Sequence, residues 1–196
     1  MKSIPELIVE IGRLIFQRRL TDIAGGNISA RDGDRIYITP TGAGKKQFWN
    51  VSPSDIVSAL VDTDELLENP RHSNESISHL LVYRAFPEVQ AIIHAHPFHV
   101  APFIATLTPI KPLNLAAKHY GVIEYIPELP QYSREQGEAI VAKLAPQRAL
   151  MGRLAAAVLI PRHGIFVAGK DLYTAVDCLE RVDTSAWTNL SVKWLG

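Results

Sequence analysis

The sequence has little that would attach it to a membrane or to nucleic acid. Its 20 basic and 20 acidic side chains cancel, so no global field favours nucleic acid or an anionic lipid surface. No apolar run approaches the roughly 18 residues that span a bilayer, and residues 1–6 lack a signal peptide's apolar core. The one cysteine, Cys178, excludes an internal disulfide and predicts a cytoplasmic protein. Cys178 falls on the apolar stripe of a predicted helix, which indicates a packing role.

What the chain does contain is an ordinary globular composition. Its 196 residues are 47% hydrophobic and 20% charged, which is typical of a soluble protein able to build a core. We expect one domain over residues 1–196. Predicted helices and strands alternate along the chain, without an internal repeat or a low-complexity tract. The class is therefore α/β or α+β, with helices packed against a sheet.

Hydrophobic periodicity and turn residues locate the elements. Apolar residues at steps of three and four predict a first helix from Ile4 to about Leu20, and a hairpin follows around the turn at Gly33. Ser133 and Gln136 form a predicted capping box at the start of a helix over residues 133–144. Residues 110–131 predict short strands within loops. The other predicted helices cover residues 74–86, 98–106 and 172–190, and the other strands cover residues 56–61, 89–96, 154–160 and 165–168.

Three histidines lie within six residues where one predicted strand ends. Residues two apart in a strand point to the same face, so His94 and His96 present two imidazoles side by side. Pro97 cannot donate to a sheet ladder and should end the strand there. This geometry suits two ligands of a divalent metal. A hydrogen-bonded core histidine beside a surface histidine is the alternative, and the short motif leaves both open.

Residues 39–46 superficially look like a phosphate-binding P-loop. That motif requires glycine where Thr39 stands and serine or threonine where Lys46 stands, so the P-loop interpretation fails. The loop's backbone N–H groups and lysines can still hold an anion. A plain surface turn is the equal alternative.

Glu75 and His79 stand four apart on the predicted helix over residues 74–86 and therefore share a face. Taken alone, the pair is best explained by a glutamate that complements the positive end of the helix dipole. His163 stands where an apolar run breaks and resumes, which places it at the junction of two buried strands.

Together and in this order, these motifs resemble those of the class II aldolase/adducin family, in particular its L-fuculose-phosphate aldolases. The resemblance extends from about Leu20 to about Trp187. It implies a three-layer α/β/α fold with a mostly antiparallel central sheet, and a homotetramer with active sites at subunit interfaces. The motifs that carry it are Gly25-Gly26-Asn27, Thr39-Pro40-Thr41-Gly42, Glu75-x-x-x-His79, His94-x-His96-Pro97 and His163-Gly164.

The resemblance also implies an activity. A zinc-dependent aldolase would cleave a ketose 1-phosphate, such as L-fuculose 1-phosphate, to dihydroxyacetone phosphate and an aldehyde by way of a metal-stabilised enediolate. His94, His96 and His163 match the family's ligands of one Zn²⁺ per subunit, and another divalent metal can suit such a site. Glu75 matches the catalytic carboxylate, while His99 matches none of the ligands. The positions that match the phosphate site are Asn27, Thr41, Gly42, Ser73 and Asn74.

The sequence departs from the family's pattern in two places. The usual Ser-Ser-Glu is Ser73-Asn74-Glu75 here, which changes one phosphate-site hydroxyl to an amide. The tyrosine expected near residues 114–116 is absent, and Tyr120 is the candidate second acid–base group. Alternative functions are a sugar-phosphate dehydratase, decarboxylase or epimerase on the same metal site, or a non-catalytic, adducin-like interaction domain.

Overall fold

The structure, a computed structural model, describes residues 2–195. Its six strands are β1 (Asn27–Asp32), β2 (Arg35–Ile38), β3 (Val57–Leu60), β4 (Ala91–Ala95), β5 (Ala155–Ile160) and β6 (Gly164–Gly169). They form one sheet in the order β3-β2-β1-β4-β6-β5, and each adjacent pair is antiparallel. The predicted antiparallel central sheet is therefore confirmed.

Helices of very different length surround the sheet. The α-helices are α1 (Ile4–Gln17), α2 (Glu65–Glu68), α3 (Ser76–Ala85), α4 (Ala101–Thr106), α5 (Arg134–Leu144), α6 (Arg148–Met151) and α7 (Leu172–Ser191). Short 3₁₀ turns cover Pro53–Asp55, Leu115–Tyr120 and Ala145–Gln147. Asp171 caps α7, because its side chain accepts a hydrogen bond from the backbone N–H of Thr174 at 2.7 Å.

Each face of the sheet has its own hydrophobic core. Successive residues of a strand point to opposite faces, so the neighbours Ile92 and Ile93 of β4 enter different cores. Ile93 lies in the core that contains Leu179 of α7 and Ile8 of α1. Ile92 lies in the core that contains Leu80 of α3. Two helix layers thus enclose one sheet, which is the predicted three-layer α/β/α arrangement.

Two segments differ from the sequence-based expectation. Helix α1 ends at Gln17 instead of near Leu20, because Arg19 adopts the left-handed backbone conformation with a φ of 57°. The region predicted as short strands in loops contains the 3₁₀ turn Leu115–Tyr120 and only single-residue bridges. A 3₁₀ turn this short has no apolar period of its own, so the pattern gave no sign of it.

Helix α3 begins at Ser76, two residues later than predicted, and this shift places a key side chain. Glu75 occupies the position before the helix, and neither it nor Ser73 or Asn74 supplies a side-chain cap. The backbone N–H of Ser76 donates to the carbonyl of Ser73 at 2.9 Å. The Glu75 side chain is buried, only 1% exposed, and accepts from the amide of Gln136 on α5 instead of capping α3.

The sheet's centre carries the histidine run. Strand β4 lies between β1 and β6, and its register places His94 beside Asn27 on one side and Phe166 on the other. The strand ends at Ala95, two residues before Pro97, as the proline predicted. Within residues 2–195, no helix is long and apolar enough to cross a bilayer.

Candidate metal centre

Three histidines from two neighbouring strand ends converge. His94 belongs to β4, His96 follows it, and His163 lies in the turn between β5 and β6. The ring centroids of His94 and His163 are 4.7 Å apart, and those of His96 and His163 are 5.3 Å apart. One ring nitrogen of each residue lies within 4.8 Å of the others. Antiparallel pairing of β4 with β6 brings together residues that are almost seventy positions apart in the chain.

Hydrogen bonds direct the free nitrogens of two of these rings towards each other. A carbonyl can only accept, so Nδ1 of His94 carries the hydrogen that it donates to Ile165 at 3.1 Å, and Nε2 keeps its lone pair. His96 Nδ1 lies 3.2 Å from a carboxylate oxygen of Asp22, which likewise leaves Nε2 free. The two Nε2 atoms are 3.3 Å apart. Tetrahedral ligands at about 2.0–2.1 Å from zinc lie about 3.3–3.4 Å from one another, so the spacing fits a shared metal ion.

Two of the three histidines, His94 and His163, are held in the neutral form that metal binding requires. Burial, followed by the nearby His163 and His96 rings, holds the pKa of His94 well below its usual range. Burial, together with His96, lowers the pKa of His163 to about 4. Neutral imidazoles offer lone pairs without first releasing a proton. The Nδ1 atom of His163 is also buried without a hydrogen-bond partner among residues 2–195, so it is available to bind another group.

A buried carboxylate stands beside the three rings. Oε1 of Glu75 lies 3.6 Å from Nδ1 of His163, and the Nε2 amide of Gln136 donates to both carboxylate oxygens, at 3.1 and 3.4 Å. Burial raises the pKa of the Glu75 carboxyl to about 7, although the Gln136 hydrogen bond acts in the opposite direction. A carboxyl group tuned close to neutral pH can both accept and release a proton.

A chain of buried polar groups fixes the amide of Asn27. The hydroxyl of Ser29 lies 2.9 Å from that of Tyr83 and 2.7 Å from Nδ1 of His79. Nε2 of His79 lies 2.6 Å from the amide oxygen of Asn27, so the ring donates there and accepts from Ser29 at Nδ1. The Asn27 oxygen is thereby engaged, which leaves its NH₂ group as the donor for another partner. The Glu-x-x-x-His motif thus supplies a carboxylate to the site and a histidine that orients Asn27.

A polar cavity of about 250 Å³ adjoins the histidines. All the predicted site residues except Tyr120 line it: Asn27, Thr41, Gly42, Ser73, Asn74, Glu75, His94, His96 and His163. Lys45 and Lys46 line it as well, and together they bring positive charge to the side where the phosphate is expected. The loop over residues 39–46, for which an anion site and a surface turn were equal alternatives, forms a wall of this cavity.

The two tyrosines are placed differently. The Tyr120 hydroxyl donates to Asp177 of α7 at 2.9 Å, and the residue does not line the cavity. Tyr132 does line it, with its ring edge-on to that of His163 at 5.6 Å between centroids. Its φ of 64° is unusual for an aromatic residue, so surrounding structure must hold it there. Pattern alone gave no reason to rank Tyr132 above Tyr120.

Two further parts of the sequence interpretation need comment. The predicted capping box is wrong in its second half: Ser133 accepts from the backbone N–H of Gln136 at 3.1 Å, but the Gln136 amide turns to Glu75. His99 pairs with Asp183 of α7 at 2.7 Å, away from the three rings. Asp22, which holds His96, had no sequence signal at all, because only the folded chain brings the two together.

Comparison with known proteins gives a consistent picture. The family model described as Class II Aldolase and Adducin N-terminal domain matches residues 6–190. A 3-oxo-tetronate 4-phosphate decarboxylase of Haemophilus influenzae is 31% identical over 190 residues, covering 92% of this chain and 84% of the relative. An L-fuculose phosphate aldolase of Methanocaldococcus jannaschii is 30% identical over 195 residues, covering 94% and 96%.

A solved structure shares the fold. An L-fuculose 1-phosphate aldolase superposes with a TM-score of 0.81 at 24% identity, covering 100% of this chain and 90% of the other. At this identity the likeness concerns the backbone arrangement. It agrees with the six-stranded sheet between helix layers described above.

Proposed function

The chain belongs to the class II aldolase and adducin N-terminal domain family, and from this premise we propose that it is a zinc-dependent sugar-phosphate aldolase. Its reaction is the cleavage of a ketose 1-phosphate, L-fuculose 1-phosphate or a similar sugar, to dihydroxyacetone phosphate and an aldehyde. The observation that carries the proposal is the convergence of a buried carboxylate, three histidines and a small polar cavity.

The cavity suits the phosphate end of such a substrate. The NH₂ group of Asn27 is available because His79 occupies its oxygen. Thr41 and Ser73 add hydroxyl groups, and Lys45 with its neighbour Lys46 adds positive charge. Hydrogen bonds in which one partner is ionised are stronger than neutral ones. The phosphate would thus anchor one end of the sugar and bring its carbonyl to the histidines.

His94, His96 and His163 would hold the metal ion, which when bound supplies a Lewis acid for the substrate's hydroxyl and carbonyl oxygens. Glu75 acts on the carbon that loses its partner when the carbon–carbon bond breaks. It delivers a proton to that carbon in cleavage and removes the proton in condensation. Burial tunes the carboxyl towards the working pH, which maximises both its fraction in the right form and its driving force.

A second group must take the hydroxyl proton of the departing aldehyde. Tyr132 is the tyrosine that lines this chain's own cavity. Burial, followed by the charge of Glu75, raises its pKa, so the neutral phenol is a proton donor for the aldehyde oxygen in condensation, and the phenolate that this leaves takes the hydroxyl proton back in cleavage. We propose Tyr132 for this step within the chain. The predicted role of Tyr120 would need its hydroxyl to leave Asp177 and to reach another subunit's cavity.

Assembly is part of the proposal. Phe98 is 62% exposed, Trp187 45% and Trp194 72%, and the two tryptophan rings lie against each other with centroids 5.9 Å apart. Exposed aromatic clusters are a common feature of protein interfaces. We propose a homo-oligomer, a tetramer as in the family resemblance. Analytical ultracentrifugation that found only monomer would contradict this.

The second candidate is decarboxylation on the same residues, which the 31% identity to the 3-oxo-tetronate 4-phosphate decarboxylase favours. To decide, zinc-loaded protein is incubated with a panel of ketose 1-phosphates and with 3-oxo-tetronate 4-phosphate, and the products are identified by mass. We expect an aldehyde fragment and dihydroxyacetone phosphate from at least one ketose, and none with Glu75→Gln. No cleavage of any ketose by protein with stoichiometric zinc would overturn the proposal.

A further inference from the structure

One buried side-chain amide of helix α5 reaches Glu75 beside the candidate metal centre. Gln136, in the first turn of α5, is 1% exposed. Its Nε2 donates to Oε2 of Glu75 at 3.1 Å and to Oε1 at 3.4 Å. Both oxygens of one carboxylate are therefore held from the same side by one side chain, although α5 begins almost sixty residues later in the chain.

The Gln136 amide does not cap helix α5, to which it belongs. In a capping box the Gln136 side chain would return to the backbone N–H of Ser133, but that N–H donates to Pro130 instead, at 3.4 Å. The Gln136 oxygen Oε1 is buried without a hydrogen-bond partner among residues 2–195. A buried unsatisfied acceptor costs about 1–3 kcal/mol. Placing the Gln136 amide against Glu75 therefore lowers the free energy of unfolding.

A close helix approach makes the contact geometrically possible. Gly137 lies where α5 crosses α3, and a Cβ there would meet Cδ1 of Leu81 at 2.7 Å and Cα of Ser78 at 3.2 Å. Only a residue without a side chain lets the two backbones come so near. Since Glu75 directly precedes α3, this approach carries Gln136 to the carboxylate.

From these contacts we propose that Gln136 is a positioning residue for the carbon–carbon bond reaction, holding the plane of the Glu75 carboxylate in its orientation beside His163. This inference rests on the proposed function of Glu75. Groups that hydrogen-bond to metal ligands fix the orientation of those ligands, and their loss typically lowers metal affinity or activity about 10–100-fold; we expect an effect of the same order for the partner of a catalytic carboxylate. A carboxylate free to rotate would spend less time aligned with the reacting carbon.

Replacement by methionine tests this, because Gln136→Met keeps the length and approximate volume of the side chain and removes only the amide. We expect kcat to fall about 10–100-fold, with KM within about twofold and zinc content unchanged. Glu138→Ala is the matched control, since Glu138 is exposed on the same helix, and it should match wild type. An unchanged kcat in Gln136→Met would overturn the proposal.

A second arm separates positioning from folding. In Glu75→Asp the carboxylate is already withdrawn by one methylene. Adding Gln136→Met to this variant should therefore reduce kcat by less than about twofold, because the effects of two residues that act through each other are not additive. Full additivity would mean that Gln136 acts independently of Glu75. If Gln136→Met does not fold, Gln136→Asn, which keeps the amide but shortens its reach, takes its place in both assays.

Crystal structures of wild type and Gln136→Met give a readout that does not depend on turnover. We expect the Glu75 carboxylate to turn or to occupy several orientations in the variant; an identical, single orientation would refute positioning. If wild-type protein cleaves no sugar phosphate, the proposed function fails, while these structures still decide what Gln136 does.

Discussion

Gly164 offers the sharpest test of the proposed metal centre, because a single added methyl group would clash with two of the histidines proposed as its ligands. Gly164 is the first residue of β6 and directly follows His163. A Cβ at this position would lie 2.6 Å from the carbonyl oxygen of Ala95, 2.7 Å from Cδ2 of His96 and 2.9 Å from Cε1 of His94. All three separations are far inside normal contact, where attraction is best at about 3.5–4.0 Å.

The loss of zinc affinity and stability in Gly164→Ala depends on which of the contacted groups can move. Ring movement cannot relieve the contact with the Ala95 carbonyl, because that group belongs to the central strand. In Gly164→Ala the backbone around residue 164 must therefore shift together with the two rings. Shifting groups that orient metal ligands costs about 10–100-fold in metal affinity, which equals about 1.4–2.7 kcal/mol. Overpacking of a tight site adds a loss of about 1–3 kcal/mol in the stability of the metal-free protein.

The assay is zinc competition against a chromogenic chelator, together with denaturant unfolding of the metal-free protein. Gly152→Ala is the control, because a Cβ there meets Glu88 at an ordinary 3.6 Å, and it should change either quantity by less than about 0.5 kcal/mol. Wild-type zinc affinity in Gly164→Ala would refute the reasoning that the histidine rings are fixed against this glycine.

Three other outcomes follow from the site. Removing the metal with a chelator should abolish turnover and lower the unfolding temperature, and zinc should restore both, as activity and calorimetry would show. Tyr132→Phe should lower kcat for ketose cleavage by about 100-fold or more, whereas a comparable loss in Tyr120→Phe would return the second acid–base role to Tyr120. Burial lowers the pKa of His79 to about 3, so the folded state requires the neutral ring, and this contribution to stability is lost as pH falls below about 6.5. The free energy of unfolding should therefore fall less between about pH 7 and about pH 5 in His79→Phe than in the wild type. The two proteins should differ in this fall by up to about 1.4 kcal/mol per pH unit.

Local physics made much of the centre predictable. The alternation of side chains along a strand predicted that His94 and His96 share a face, and Pro97 predicted that their strand ends beside them. Both features act within a few residues, so the sequence is enough to show them. Strand ends could be predicted to within about two residues for the same reason. The convergence of His94 with His163 needed more than local pattern, and it came from the family resemblance carried by the whole motif set.

The rest depends on contacts between distant segments. Ser133 to Gln136 has the sequence of a capping box, yet the amide is captured by a carboxylate that the fold brings close, so tertiary contact overrides a local rule. Asp22 reaches His96 only because the α1–β1 loop folds over the end of β4. The left-handed backbone of Tyr132 leaves no trace in sequence either, since aromatic residues seldom adopt it.

The metal centre and Glu75 do not by themselves choose between aldol cleavage and decarboxylation. Both reactions break a carbon–carbon bond and leave its electron pair on the carbon beside a carbonyl, so both need an electron sink and a proton donor at that carbon. They differ in the fragment that departs, because an aldehyde leaves only when its hydroxyl loses a proton, whereas carbon dioxide leaves a 3-oxo acid without one. The group that distinguishes the two reactions is therefore a base for the aldehyde hydroxyl, and Tyr132 lines the cavity as the candidate for it. Loss of the Tyr132 hydroxyl should suppress ketose cleavage and spare decarboxylation, so one variant assayed on two substrates identifies the reaction for which this cavity is built.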